Sequence, residues 1–215
     1  MRSASRDPAA YDAWYHTRRG RWIARREAAL LTHLLAPAPG GSLLDVGTGT
    51  GEFCRTFGAA GLAVTALDPS ASMLGYARQH QQARAYVLGR AESLPFADGT
   101  FDYCAAVTSL CFVPDPAHAL AEMWRVCRRG VVLGLLNRRS LLHRRKANSG
   151  GYRGARWDSI ADVRRWVQGL SGVGRCHRAT AIHLPGGGPA ARLAERLLPS
   201  SSPWGGFLAV AIRRT

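Results

Sequence analysis

Acidic side chains are scarce in this 215-residue chain: 14 Asp and Glu face 29 Lys and Arg, and of the 29 only Lys146 is a lysine. The near absence of lysine makes an arginine-rich composition one explanation for the +15 formal charge. A field that attracts an acidic partner is the other. Long apolar runs are missing too. None reaches the roughly 18 residues that cross a bilayer, and the opening MRSASRDPAAYDAW has no apolar core of a secretory leader. These absences point to a cytoplasmic protein with no membrane insertion. Cysteine is sparse: Cys54, Cys104, Cys111, Cys127 and Cys176 make no CxxC and no Cys/His spacing that closes a zinc site. They read as five buried thiols of a reducing compartment, and no metal is expected. Cys104 and Cys111 alone are too few for a thiol cluster of metalloid chemistry.

What is present is ordinary globular material, 47% hydrophobic and 8% aromatic, which excludes disordered, collagenous and coiled-coil classes. The charge is uneven. Residues 1–36 carry +4, 37–100 carry −1, 101–136 carry 0, and 137–215 carry +12. The first 36 residues read as helical from Asp7-Pro8, with apolar positions Ile23, Leu30, Leu31, Leu34 and Leu35 at helical spacing, up to the breaker Pro37-Ala-Pro-Gly-Gly41. Strands and helices then alternate: strands at 42–46, 62–67, 86–88, 101–107 and 130–136, and helices at 50–60, 70–83 and 116–127. Parallel strands need crossovers, and the crossover helices pack back onto the sheet. The expected fold class is therefore α/β, a doubly wound, mostly parallel sheet. Beyond Asn137 a basic stretch, 138–156, precedes a helix from Asp158 or Ser159 to Gly169. Strands at 176–184 and 207–213 form a C-terminal pair, with a short helix at 191–198 between them.

The segment Leu43-Leu-Asp-Val-Gly-Thr-Gly-Thr-Gly51 falls where the first strand turns into a helix, the place where such sheets bind ligands. Glycines there let backbone approach a ligand closely. A dinucleotide fingerprint needs a third glycine at position 52, which is Glu52, and that carboxylate would repel a pyrophosphate. No G-K-[ST] is present for a P-loop. A nucleoside without phosphates fits better, with Asp68 at the end of the second strand placed to accept from both ribose hydroxyls.

The ordered motifs Asp45-Val-Gly-Thr-Gly-Thr-Gly51, Leu67-Asp-Pro-Ser-Ala-Ser-Met-Leu74, Ala91-Glu-Ser-Leu-Pro-Phe-Ala-Asp-Gly-Thr-Phe-Asp102 and Glu122-Met-Trp-Arg-Val126 span about residues 40–137. In them the chain resembles the class I S-adenosylmethionine-dependent methyltransferases, in the small-domain group that includes quinone-ring methylases. The resemblance implies S-adenosylmethionine as cofactor. Gly47, Thr48, Gly49 and Gly51 would hold its methionine part, with Asp45 orienting their loop. Asp68 would take the ribose, Pro69 and Met73 would cover adenine, Ala91 and Glu92 would line its edge, and Thr108 would sit beside the methionine group. Arg90 stands where the family commonly has an acid. Arginine has donors only, so either Glu92 or a backbone carbonyl takes over that hydrogen bond, or adenine is held more weakly.

The resemblance also implies a division of the chain: an N-terminal helical lid over 1–36, and a methyltransferase domain over 37–215 with its cofactor core at 40–137 and substrate elements at 138–205. Tyr11, Trp14 and Tyr15 share a face of the lid helix, next to His16, and can cover the site. No catalytic residue is assigned. Alignment alone can drive methyl transfer, and where a base is needed Tyr15, His16, His143 and His183 are the candidates. The expected function is methyl transfer to a small metabolite, one that carries negative charge if the basic stretch lines its pocket. The alternatives are a regulatory protein that binds S-adenosylmethionine without turnover, and an RNA methyltransferase. Nucleic acid is not favoured, because no RNA module accompanies the arginines. The oligomeric state is not readable.

Overall fold

A computed structural model describes residues 7–184 and 186–215; residues 1–6 of the expected lid, and Pro185, lie outside them. Two helices open the chain, α1 (Pro8–His16) and α2 (Arg18–Leu35). The sequence reading had one helical stretch here. Thr17 divides it: its backbone is extended, its hydroxyl donates to the Trp14 carbonyl at 2.7 Å, and the same oxygen accepts from Gly20 N at 2.9 Å. It thus closes one helix and caps the next. Gly20 is required there, because a Cβ would lie 2.0 Å from the Trp14 carbonyl oxygen.

Then follow β1 (Ser42–Val46), α3 (Glu52–Ala59), β2 (Ala63–Asp68), α4 (Ala71–Gln79), β3 (Ala85–Leu88), β4 (Phe101–Val107), α5 (Pro116–Val126) and β5 (Cys127–Leu136). The last part holds α6 (Leu141–Lys146), α7 (Ile160–Val167), β6 (Val173–Ala181), α8 (Pro189–Leu197) and β7 (Phe207–Arg214). The seven strands form one sheet in the order β3-β2-β1-β4-β5-β7-β6, parallel except for β7, which runs antiparallel between β5 and β6. The doubly wound expectation holds, and the C-terminal strand pair completes the sheet.

Strand side chains alternate between two cores, as the pleat requires. Leu44, Val46, Cys104, Ala106, Val131 and Leu133 face α5 and α7. Leu43, Tyr103, Ala105 and Val132 face the other side, with Leu31 and Leu35 of α2 and Phe57 of α3. Leu31, Leu35 and Phe57 are fully buried, each stabilising the layer by about 1.5–3 kcal/mol. The carboxyl ends of β1, β2, β4 and β5 meet on one rim. The basic stretch is ordered against that rim: α6 and a turn at Gly150–Tyr152 were not anticipated. Arg156 donates to the carbonyls of Val113 and Leu110, both at 2.8 Å, and pairs with Asp158 at 2.7 Å; Arg138 binds the Trp157 carbonyl and Asp162. These two arginines serve the fold. Of the cysteines, Cys54, Cys104, Cys111 and Cys127 are buried as expected, but Cys176 is exposed because it lies on the outer edge strand β6. Among the described residues no helix is long and apolar enough to cross a membrane, and no group of His, Cys, Asp and Glu could hold a metal.

Candidate methyl-donor site

β1 ends at Val46 and the chain enters the loop Gly47–Gly51, with φ of 75°, 55° and 90° at Gly47, Gly49 and Gly51. Two of these glycines have no alternative. A Cβ on Gly47 would lie 2.4 Å from Ser109 Cβ, and one on Gly51 2.5 Å from Gln82 Cβ. The loop is tied to both flanking strands: Gly47 N and Thr48 N donate to the Leu67 carbonyl at 2.7 and 3.1 Å, and Ser109 Oγ donates to the Val46 carbonyl at 2.7 Å.

Two acids stand beneath the loop. Asp45, on β1, accepts from Thr48 Oγ1 at 2.8 Å and Cys54 Sγ at 3.2 Å. Burial pushes its carboxyl up to about 6; those two bonds oppose the rise and the charge of Asp68 adds to it. Asp68, closing β2, accepts from Gly49 N at 2.8 Å and Ser70 N at 2.9 Å. Burial raises it as well, against the pull of those two N–H groups. Two buried carboxyls side by side favour a ligand that brings hydroxyl donors or positive charge. Thr50 is buried and its Oγ1 has no partner among the described residues, a second sign of a polar ligand at this loop. On the far side Thr108 takes a left-handed φ of 49°, with its N–H donated to the Gly134 carbonyl at 2.7 Å. Such strain collects at binding sites.

α1 lies across this loop. Gly49 faces Tyr11, whose Cε1 is 3.8 Å from the position of an added Cβ, and a cavity of about 40 Å³ remains between Tyr11, Tyr15, Gly47, Thr50 and Thr108. The Tyr11 and Tyr15 hydroxyls are 3.3 Å apart, and Tyr15 meets Phe53 edge-on. The helix is pinned through Asp12, which accepts from Tyr76 of α4 at 3.1 Å and bonds His16 Nε2 at 2.9 Å. Trp14 does not share the inward face of Tyr15: it is 39% exposed, because a helical offset of one residue turns it outward.

The remaining expected residues are spread out. Ala91 is buried, Met73 and Glu92 are half-buried and Pro69 is exposed, all near the ends of β2 and β3. Arg90 is paired with Glu92 at 3.1 Å and points outward. Of the proposed bases, His16 is engaged by Asp12, His143 stacks obliquely 5.0 Å from Trp157, and His183 is buried against Glu195 at 3.0 Å. The structure brings Tyr15, but none of the three histidines, to the donor cavity.

Sequence reasoning passed over Glu27. It lies on α2 four residues after Ile23 and four before Leu31, within the stripe that faces the core. Burial pushes its carboxyl up to about 8. The folded chain therefore holds a proton that the unfolded chain has lost between about 4.5 and 8, so Glu27 lowers stability as pH rises through that window. Glu27→Gln is expected to melt with the parent below pH 4.5 and a few degrees higher above pH 8, a gain of roughly 1–2 kcal/mol because the carboxyl keeps a partial outlet to solvent. Thermal unfolding followed by circular dichroism at the two pH values checks this.

A doubly wound sheet with a glycine loop after β1 and an acid at the end of β2 defines a nucleoside-binding α/β domain. Residues 44–135 match the family model described as a methyltransferase domain. A malonyl-[acyl-carrier protein] O-methyltransferase of Pectobacterium atrosepticum is 43% identical over 111 residues, covering 52% of this chain and 44% of that protein. An uncharacterized protein of Mycobacterium tuberculosis is 34% identical over 192 residues, covering 86% of this chain and 65% of its own length. The chain thus spans less than two thirds of these curated relatives. In three dimensions it matches a Thermotoga maritima S-adenosylmethionine-dependent methyltransferase, described as a possible histamine N-methyltransferase, with TM-score 0.77 and 25% identity over 96% of both chains. Residues 44–135 thus correspond to a methyltransferase domain, and the chain shares its fold with an S-adenosylmethionine-dependent methyltransferase.

Proposed function

We propose that the chain transfers a methyl group from S-adenosylmethionine to a small-molecule acceptor by in-line displacement. The observation that carries this is the glycine loop backed by two buried carboxyls, Asp45 and Asp68, and roofed by Tyr11. When bound, the cofactor supplies a sulfonium methyl. The backbone of Gly47, Thr48 and Gly49 would hold its methionine part, with Asp45 fixing the loop through Thr48. Asp68 would accept from the ribose, Met73 and Pro69 would cover the adenine, and Ala91 and Glu92 would line its edge. Tyr11 and Tyr15 lift to admit the ligand and close to exclude water, which makes α1 a lid. With geometry set this way, proximity supplies much of the acceleration.

A small acceptor is favoured over RNA because no RNA module accompanies the arginines and Arg138 and Arg156, at the two ends of the basic stretch, are engaged by the fold. The named relatives include methyltransferases of malonyl-[acyl-carrier protein] and of demethylmenaquinone, which agrees with metabolite-scale acceptors. The test is calorimetric titration with S-adenosylmethionine, S-adenosylhomocysteine and, as control, NADH, followed by incubation with metabolite extract. Binding of both sulfur ligands but not NADH, with S-adenosylhomocysteine released during incubation, is expected. Binding without turnover would favour the regulatory reading; a folded protein that binds neither sulfur ligand would end both.

A further inference from the structure

Exposed apolar side chains collect at one end of the molecule. Trp14 projects from α1, which lies across the donor loop, Leu88 closes β3, and Phe112 follows β4. Leu193, Leu197 and Leu198 belong to α8 and its end, and Trp204, 65% exposed, precedes β7. Phe207 pairs with Leu136 of β5 and with Ala181 of β6, so the end of β6 and the start of β7 lie on the same rim as the ends of the parallel strands. Glu195 ties α8 to Ile182 N and His183 N, just past β6. Asn137, just past β5, donates to the carbonyls of Pro203 and Gly205 at 2.8 and 2.7 Å, fixing the backbone on either side of Trp204. Every large apolar side chain that is exposed among the described residues is thus on the donor-loop rim, and a concentration of this kind marks a contact surface.

Unmatched positive charge lies on the same rim. α6 is held there by Ser140, whose hydroxyl donates to the Asn137 carbonyl at 2.7 Å, and its last turn carries Arg144, Arg145 and Lys146. On α8, a rotation of about 100° per residue gives three sides: Ala191 and Glu195 inward, Leu193 and Leu197 outward, and Arg192 and Arg196 between them. The carboxylates of this part of the chain are taken by other arginines: Arg26 by Glu195, Arg138 and Arg165 by Asp162, and Arg156 by Asp158. Arg144, Arg145, Lys146, Arg192 and Arg196 form no ion pair among the described residues. At the opposite end of the sheet the balance differs. There Arg125 meets Glu122 and Asp98, and Arg128 and Arg129 meet Asp102.

We propose that the donor-loop rim docks on the surface of an anionic lipid bilayer, with Leu193, Leu197 and Trp204 entering the interface and the arginines and lysine of α6 and α8 meeting lipid phosphates. Charge complementarity selects this occupant. A second copy of the chain would bring the same cations against these. Nucleic acid would satisfy the arginines but leave the leucines in water. Leucine is under-represented among the residues that carry protein–protein affinity, whereas leucine and tryptophan beside arginine make up helices that lie in a lipid interface. No described helix is long and apolar enough to cross a membrane, so the contact is with the bilayer surface. The inference uses none of the side chains assigned to the cofactor and stands apart from the methyl-transfer reading. Where that reading holds, the docked rim presents the donor site to acceptors dissolved in lipid.

Sedimentation with vesicles of phosphatidylcholine containing one third phosphatidylglycerol, against vesicles of phosphatidylcholine alone, tests this. The anionic vesicles should bind the protein at least about tenfold tighter, and molar salt should weaken that binding. Tryptophan emission should shift to the blue on binding, and less so in Trp204→Phe. The double variant Leu193→Gln/Leu197→Gln changes two exposed side chains and should melt with the parent, yet bind anionic vesicles about tenfold more weakly. Arg144→Gln/Arg145→Gln/Lys146→Gln should lose most of the preference for anionic over neutral lipid. No binding, equal binding to the two kinds of vesicle, or binding that the leucine variant leaves unchanged overturns the proposal. Polyglutamate bound as tightly as the anionic vesicles would assign the face to an acidic protein and overturn it as well. Each of these outcomes leaves the donor reading intact, because that reading is decided by S-adenosylhomocysteine binding.

Discussion

Asp68→Ala is expected to weaken S-adenosylhomocysteine binding at least about 100-fold. A carboxylate offers about four lone-pair positions, and the structure uses two of them, for Gly49 N and Ser70 N. Two remain for a diol. Hydrogen bonds to a charged group contribute about 1.5–3 kcal/mol each, so losing a pair removes two or more powers of ten in affinity. Alanine also releases Gly49 N from its tie across the loop, which loosens the backbone cradle itself. Asp68→Asn keeps the shape and one acceptor oxygen, and should sit between alanine and the parent. Calorimetry on the three proteins decides this. An alanine variant with parental affinity would confine Asp68 to tying the loop. The pH sign follows from the raised carboxyl of Asp68. Binding needs it ionised, so affinity should begin to fall, as pH is lowered, before an ordinary aspartate would take up its proton.

The parts of the fold that show in sequence are those where local pattern and tertiary demand agree. The apolar runs of β1 and β4 are read to the residue, 42–46 and 101–107, because they are buried on both faces and ended by glycine or by the strained Thr108. The donor loop is legible for the same reason: glycines forced by Ser109 and Gln82 leave no other residue type. The break at Thr17 is invisible to periodicity, since both helices carry apolar positions at compatible spacing; only Thr17 with Gly20 three residues on marks it. In 138–156 the arginines suggest a solvated or substrate-facing stretch. Arg138 and Arg156 instead find carbonyls and carboxylates that arrive from residues 110–113 and 157–162, and no local rule reports that. Glu27 had a visible signal, a carboxyl between Ile23 and Leu31 on an apolar stripe, but the burial that raises it is a fact of three dimensions.

Glu195→Ala is expected to destabilise the chain by about 3–5 kcal/mol, and so to lower the melting temperature by roughly 10 °C. α8 is docked unusually. Glu195 and Ala191 face inward, while Leu193 and Leu197 are 56% and 72% exposed, so polar contact rather than apolar burial holds the helix. Glu195 accepts from Ile182 N at 2.9 Å, His183 N at 3.2 Å and His183 Nδ1 at 3.0 Å, and Arg26 of α2 reaches it at 3.4 Å. Ile182 has a φ of 62°, a conformation that β-branched residues avoid, and these bonds hold it there. Alanine would strand three buried donors on that strained turn. Glutamine keeps one acceptor oxygen and should cost about half as much. Burial works to raise the Glu195 carboxyl, but the His183 ring and the backbone N–H groups outweigh it and leave it below the ordinary value. A depressed carboxyl contributes stability above its unfolded pKa and loses it as pH falls through the folded one. The parent should therefore lose stability on acidification where Glu195→Gln does not. Urea unfolding at pH 7 and pH 4 measures both effects, and limited proteolysis should show first cleavage between residues 182 and 206. Parental unfolding of the alanine variant would mean that α8 is held by contacts other than this pair.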